Sequence, residues 1–146
     1  LMGFSGILIV VFEMLLIHYT EKKYTITKLL VFGSLFTAIS FSIFSFSPTI
    51  VMLYIAIALM SIGEMLVLPL MSTVTAFRAQ KNNRGAYMGL NGISSAAAFI
   101  ISPFLGTHIA TDYGFDTLWI ITTIVLIFVA IGYHVFTKQL LPKNMQ

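Results

Sequence analysis

Five apolar runs, at 1–18, 29–46, 50–76, 86–110 and 118–136, limit what this chain can fold into more than any other feature. The hydrocarbon core of a bilayer is about 30 Å thick and takes about 20 residues of helix to cross, and each run meets or approaches that length. A spanning strand would need only about ten residues and would alternate apolar with polar positions; none of the runs alternates in a sustained way. A helix also satisfies its backbone hydrogen bonds within one segment, as hydrocarbon demands. The pattern predicts an all-α integral membrane protein of five transmembrane helices, a bundle over 1–137 followed by a tail at 138–146.

Charge placement orients the bundle. Only 9% of the residues are charged, against about 25% in an ordinary soluble domain. Lys22, Lys23 and Lys28 follow the first run, Arg78, Lys81 and Arg84 follow the third, and Lys138 and Lys143 follow the last. The alternate connections hold no basic residue, only Asp112 and Asp116. By the positive-inside rule both basic loops and the C-terminus are cytoplasmic, and five is the helix count whose parity puts every basic cluster on one side. Trp119 and Tyr113 then fall at the outer interface, where amphipathic rings sit. For Arg78 and Arg84 topology is the simplest account; the functional alternative is that they hold the inward end closed or bind anionic lipid.

The same residues exclude several chemistries. The net charge of +3 is scattered beside apolar runs and forms no basic patch for nucleic acid. Without cysteine there is neither a disulfide nor a Cys-ligated metal site. No nucleotide, zinc-protease or nucleophile-elbow motif occurs, so no cofactor, metal or catalytic residue is expected. His18, His108 and His134 all fall at the ends of runs. The chain opens at Leu1 with neither a basic leader nor a small-residue cleavage site, and is expected to be the tail of a longer protein.

Two carboxylates lie within the runs, Glu13 and Glu64. A charge at mid-membrane costs about 2.5–3.5 kcal/mol on insertion scales, so such groups face a bundle interior or a wet cavity. Hydrocarbon favours the neutral carboxylic acid until water or a cation arrives, which is the property a proton-coupled site needs. The alternative is a protonated clasp to a neighbouring helix, worth about 1 kcal/mol. Glu64 is near the middle of its run, and helical spacing puts Met60, Ser61, Val67, Leu68 and Met71 on its side. A face containing Met60 and Met71 suits a loose ligand pocket, although ordinary packing uses the same residues. Pro69 removes a backbone hydrogen bond in this run and predicts a bend.

The fourth run carries Gly85, Gly89, Gly92, Ala96, Pro103 and Gly106 on one stripe, and Asn91, Ser95, Ala98 and Ser102 on a second, more polar one. Small residues allow close helix approach, so the first stripe is expected at a helix interface. Asn91 joins Glu64, Glu13, Met60 and Met71 as a candidate for substrate or proton binding.

Four strings, in order, carry a family resemblance: "LIVVFEML" at 8–15, "SIGEMLVLP" at 61–69, "RGAYMGL" at 84–90 and "SPFLG" at 102–106. With these loop lengths the chain resembles the C-terminal half of a major facilitator superfamily transporter, helices eight to twelve, most like the drug/proton antiporter branch. The loop "HYTEKKYTITK" stands where the family has a cytoplasmic Gly/Asp/Arg signature and lacks its Gly–Arg pair. The resemblance implies an incomplete six-helix half whose partner is the missing N-terminal half of the same chain. It further implies a proton-coupled secondary transporter of a cell's inner (plasma) membrane, exporting small amphipathic molecules as the two halves rock about a midplane site. Glu64 would face the cavity as the proton or cation site, Glu13 and the glycine stripe would lie at the moving interface, and 118–136 would face lipid. The residues themselves leave two other readings open. One is a lipid-modifying membrane enzyme with Glu13, His18 and Glu64 as acid/base groups; the other is a non-catalytic helical subunit.

Overall fold

The computed structural model describes residues 24–46, 49–79 and 83–140, with side chains to 136, together with Gly6 and Tyr19. These residues form four α-helices: α1 Ile26–Ser45, α2 Ile50–Arg78, α3 Arg84–Tyr113 and α4 Phe115–Leu140. No strand occurs among the described residues. All four helices are long and apolar enough to cross a membrane, α4 over Phe115–Phe136. Of the fifth expected span, 1–18, only Gly6 is described; Glu13 and His18 lie outside the described residues.

The helices reach past their apolar runs for identifiable reasons. At Thr25 the backbone is extended, and its carbonyl accepts the first α1 bond from the Leu29 N–H at 3.1 Å. Lys28 therefore sits in the first turn of α1 rather than in a loop, with its side chain exposed; a long amine can reach the interface from there. The connection "HIATDYGFD", expected to be a loop, is helical except at Gly114. That glycine has φ 86° and ψ 162°, a region essentially restricted to glycine. Its N–H closes α3 on the Ala110 carbonyl at 3.1 Å, and its carbonyl opens α4 by accepting from Leu118 at 3.3 Å. One residue thus replaces a loop. Asp112 ends up in the last turn of α3, 3.2 Å from His108 Nδ1, and Asp116 in the first turn of α4, where the helix dipole favours an anion.

α1 is the central element, with α2 and α4 against it on separate sides; α3 touches α4 and α2 less extensively and contributes no buried residue. Leu29, Leu30, Leu66 and Leu70 form the α1–α2 core, joined by Ile62, Val67, Met71 and Val74 from α2 and Tyr133 from α4. On the α4 side, Trp119 stacks on Phe41 at 5.7 Å and meets Phe44 at 5.5 Å, so the expected interfacial tryptophan also closes the α1–α4 seam. Hydroxyls within the helices mostly donate to the carbonyl four residues back, as Ser34, Thr37, Ser61 and Thr75 do. This is how a polar side chain is tolerated where no water competes. Ser40 instead donates across to α2, and Thr27 is buried with no partner for its hydroxyl among the described residues.

Candidate functional site

α2 has 29 residues, and fourteen lie on either side of Glu64, which puts its Cα about 21 Å from each end at 1.5 Å per residue. The helix continues through Pro69 as a single element. Loss of the proline N–H leaves the Met65 carbonyl without its usual donor, while the Thr73 hydroxyl donates to the Pro69 carbonyl at 2.9 Å. Glu64 is part-buried, and among the described residues no hydrogen bond or ion pair reaches its carboxylate. Around it Met60, Val67 and Met71 are part-buried, Ser61 is fully buried, and Leu68 is 66% exposed. Met71 and Val67 pack on the leucine core. Glu64 therefore stands at the edge between the face that α1 covers and the face left open.

Beside this edge α1 approaches α2 at Gly33 and Gly63, both buried. A Cβ added at Gly63 would lie 2.6 Å from the Gly33 carbonyl oxygen, with the Thr37 hydroxyl oxygen nearer still. A Cβ at Gly33 would lie 3.0 Å from the Gly63 carbonyl oxygen and 2.7 Å from Val67 Cγ2. Close to this contact, the Ser40 hydroxyl crosses from α1 to donate to the Ala56 carbonyl of α2 at 2.7 Å. Sequence reasoning concentrated on the glycines of 85–106 and passed over this pair. The available signals were Gly33, Thr37 and Ser40 on α1 and Ala56 with Gly63 on α2, small residues whose helical spacing puts each set on one face.

On α3 the expected interface residues Gly85, Gly89, Gly92 and Gly106 have no described residue within 4 Å of an added Cβ. Pro103 is exposed, and Asn91 alone between 84 and 105 is part-buried; its backbone carbonyl accepts the Ser95 hydroxyl at 3.1 Å. No hydrogen bond joins Asn91 to Glu64. At the basic end, Arg78 is in the last turn of α2, where a cation suits the dipole. Arg84 is the first residue of α3, where a cation does not, so helix electrostatics cannot be what selects it. Arg84 borders a recess of about 440 Å³ shared with Thr73, Ala76, Phe77 and Ala79. Among the described residues no group of His, Asp or Glu could hold a metal ion.

The family described as Major Facilitator Superfamily matches residues 1–144. The chain is 29% identical over 130 residues to the "Uncharacterized MFS-type transporter YttB" of Bacillus subtilis (strain 168). That alignment covers 88% of this chain and 32% of the relative, so the chain spans about a third of the relative's length. No solved structure matches it significantly.

Proposed function

The chain belongs to the Major Facilitator Superfamily and is a multi-pass membrane protein, and from that premise we propose that it forms the C-terminal part of a proton-coupled secondary transporter. It supplies helices eight to twelve of the twelve, in an inner (plasma) membrane, with the C-terminus in the cytoplasm. The transporter exports small amphipathic molecules by antiport with protons, and the two halves rock around a midplane site. Glu64 is the coupling group, and Met60, Met71 and Asn91 line the path beside it. Glu13 is a second protonatable group at the moving interface, together with Pro69, Pro103 and the glycines at 85, 89, 92 and 106. Arg78 and Arg84 hold the inner face.

The observation that supports this reading most is a carboxylate at the midpoint of a membrane-length helix with no ion pair among the described residues. Such a group is expensive to keep unless its charge is used. The test is gradient-driven transport of a lipophilic cationic dye by the full-length protein in proteoliposomes. Glu64→Gln preserves size and hydrogen bonding but cannot titrate. It is expected to insert normally and lose transport driven by a pH gradient, while exchange without a gradient persists. Unimpaired gradient-driven transport by this variant would return Glu64 to a packing role.

A further inference from the structure

Membrane helices that meet through apolar side chains hold one another weakly in rotation and sliding, because lipid offers the same contacts. One contact between α1 and α2 is of another kind. At Gly33 and Gly63 backbone meets backbone: a Cβ on Gly63 would be 2.6 Å from the Gly33 carbonyl oxygen, and one on Gly33 would be 3.0 Å from that of Gly63. A rigid carbonyl cannot move aside as a flexible side chain can. Seven residues further along α1 and seven back along α2, Ser40 donates to the Ala56 carbonyl at 2.7 Å. The two contacts belong to one antiparallel register and lie about 10 Å apart along the helices. Two such points define both the height of α2 on α1 and its rotation about its own axis. Glu64 is the next residue after Gly63, and a helix turns by about 100° per residue. With Gly63 held against α1, the Glu64 side chain leaves α2 roughly a quarter-turn from that contact.

We propose that the Gly33–Gly63 contact, with the Ser40–Ala56 hydrogen bond, is a register lock that positions the Glu64 carboxylate at the edge of the α1–α2 interface. The inference rests on the reading of Glu64 as the coupling group. Gly33, Gly63 and Ser40 are positioning residues that touch neither substrate nor proton. The glycines of α3 make no comparable contact among the described residues: Gly89 and Gly92 have nothing within 4 Å of an added Cβ.

The test uses the full-length protein in proteoliposomes with spin labels on cysteines replacing Ile39 and Leu68, which are 49% and 66% exposed on α1 and α2. Gly63→Ala and Gly33→Ala are compared with Gly132→Ala, an α4 position with open space around an added Cβ. The expected result is a shifted or broadened interlabel distance in the first two variants only. In unlabelled protein, gradient-driven transport falls by about tenfold to 100-fold relative to gradient-free exchange, since misplacement of a reacting group by about 1 Å can cost about 100-fold. Unchanged distances in both variants overturn the lock. Altered distances with an unchanged ratio of driven transport to exchange overturn the positioning role. Should Gly63→Ala fail to accumulate, Gly33→Ala carries both measurements, because its Cβ lies 3.0 Å from the facing carbonyl oxygen rather than 2.6 Å. Full gradient-driven transport by Glu64→Gln overturns the underlying reading, and that variant alone reports it.

Discussion

Polar side chains in this chain differ in how their hydrogen bonds are satisfied, and the differences predict what single substitutions do. Ser40 is fully buried and its hydroxyl bridges two helices. Ser40→Ala removes that bridge without stranding the Ala56 carbonyl, which keeps its place in α2, so the loss is that of one interhelical bond, about 1 kcal/mol. Unfolding by denaturing detergent should register it as a modest decrease in stability. Thr27 is nearly as enclosed at 3% exposure, but among the described residues its hydroxyl has no partner. An unpaired buried hydroxyl costs about 1–3 kcal/mol, so Thr27→Val is expected to raise stability by about 1 kcal/mol in the same measurement. Glu64 is the third case. Glu64→Asp still titrates but moves the carboxylate back by one methylene, so partial coupling should survive in the dye-transport assay where Glu64→Gln loses it.

At the scale of elements, the runs of apolar residues announced each described helix, whereas the ends and contacts answered to other physics. The joint between α3 and α4 is a single glycine at φ 86°. Gly114→Ala forces a Cβ into a region that L-residues avoid, at a cost of about 1–3 kcal/mol. The variant should lower thermal stability, and the α3–α4 joint should become more accessible to protease. The glycines of α3 pose the opposite problem. Composition made 85–106 the obvious interface, yet no described residue lies within 4 Å of a Cβ added at Gly89 or Gly92, while the isolated glycines 33 and 63 are in backbone contact. Close approach depends on what lies opposite, which a count of small residues on one helix does not contain. Gly89→Leu and Gly92→Leu should therefore leave the helices described here undisturbed. In the full-length protein they are expected to insert normally and lose turnover, since the stripe is free to meet a surface outside this set of helices. Normal transport by both would remove the stripe from the moving interface.

For the whole molecule, the chain spans about a third of its relative's length, and α3 contributes no buried residue. The 146-residue chain expressed alone should give no proton-driven flux in vesicles, and robust flux would refute the proposed division of labour between halves. The all-helical class and membrane-length spans were legible in the sequence because they follow from one-dimensional quantities: the length of an apolar run and the absence of alternation. Glu64 was legible for the same reason, since a carboxylate within an apolar run is conspicuous without any coordinates. What the sequence could not decide is which face of each helix is covered. Periodicity here is weak because lipid and protein interior are both apolar, so a lipid-facing leucine and a core leucine read alike. Only the tertiary structure brings Gly33 to Gly63, chooses Leu30, Leu66 and Leu70 for the core over Leu68, and sets Glu64 at the edge of that contact. Those choices rest on carbonyl and Cβ distances between helices that are remote in sequence, and no local pattern encodes such distances.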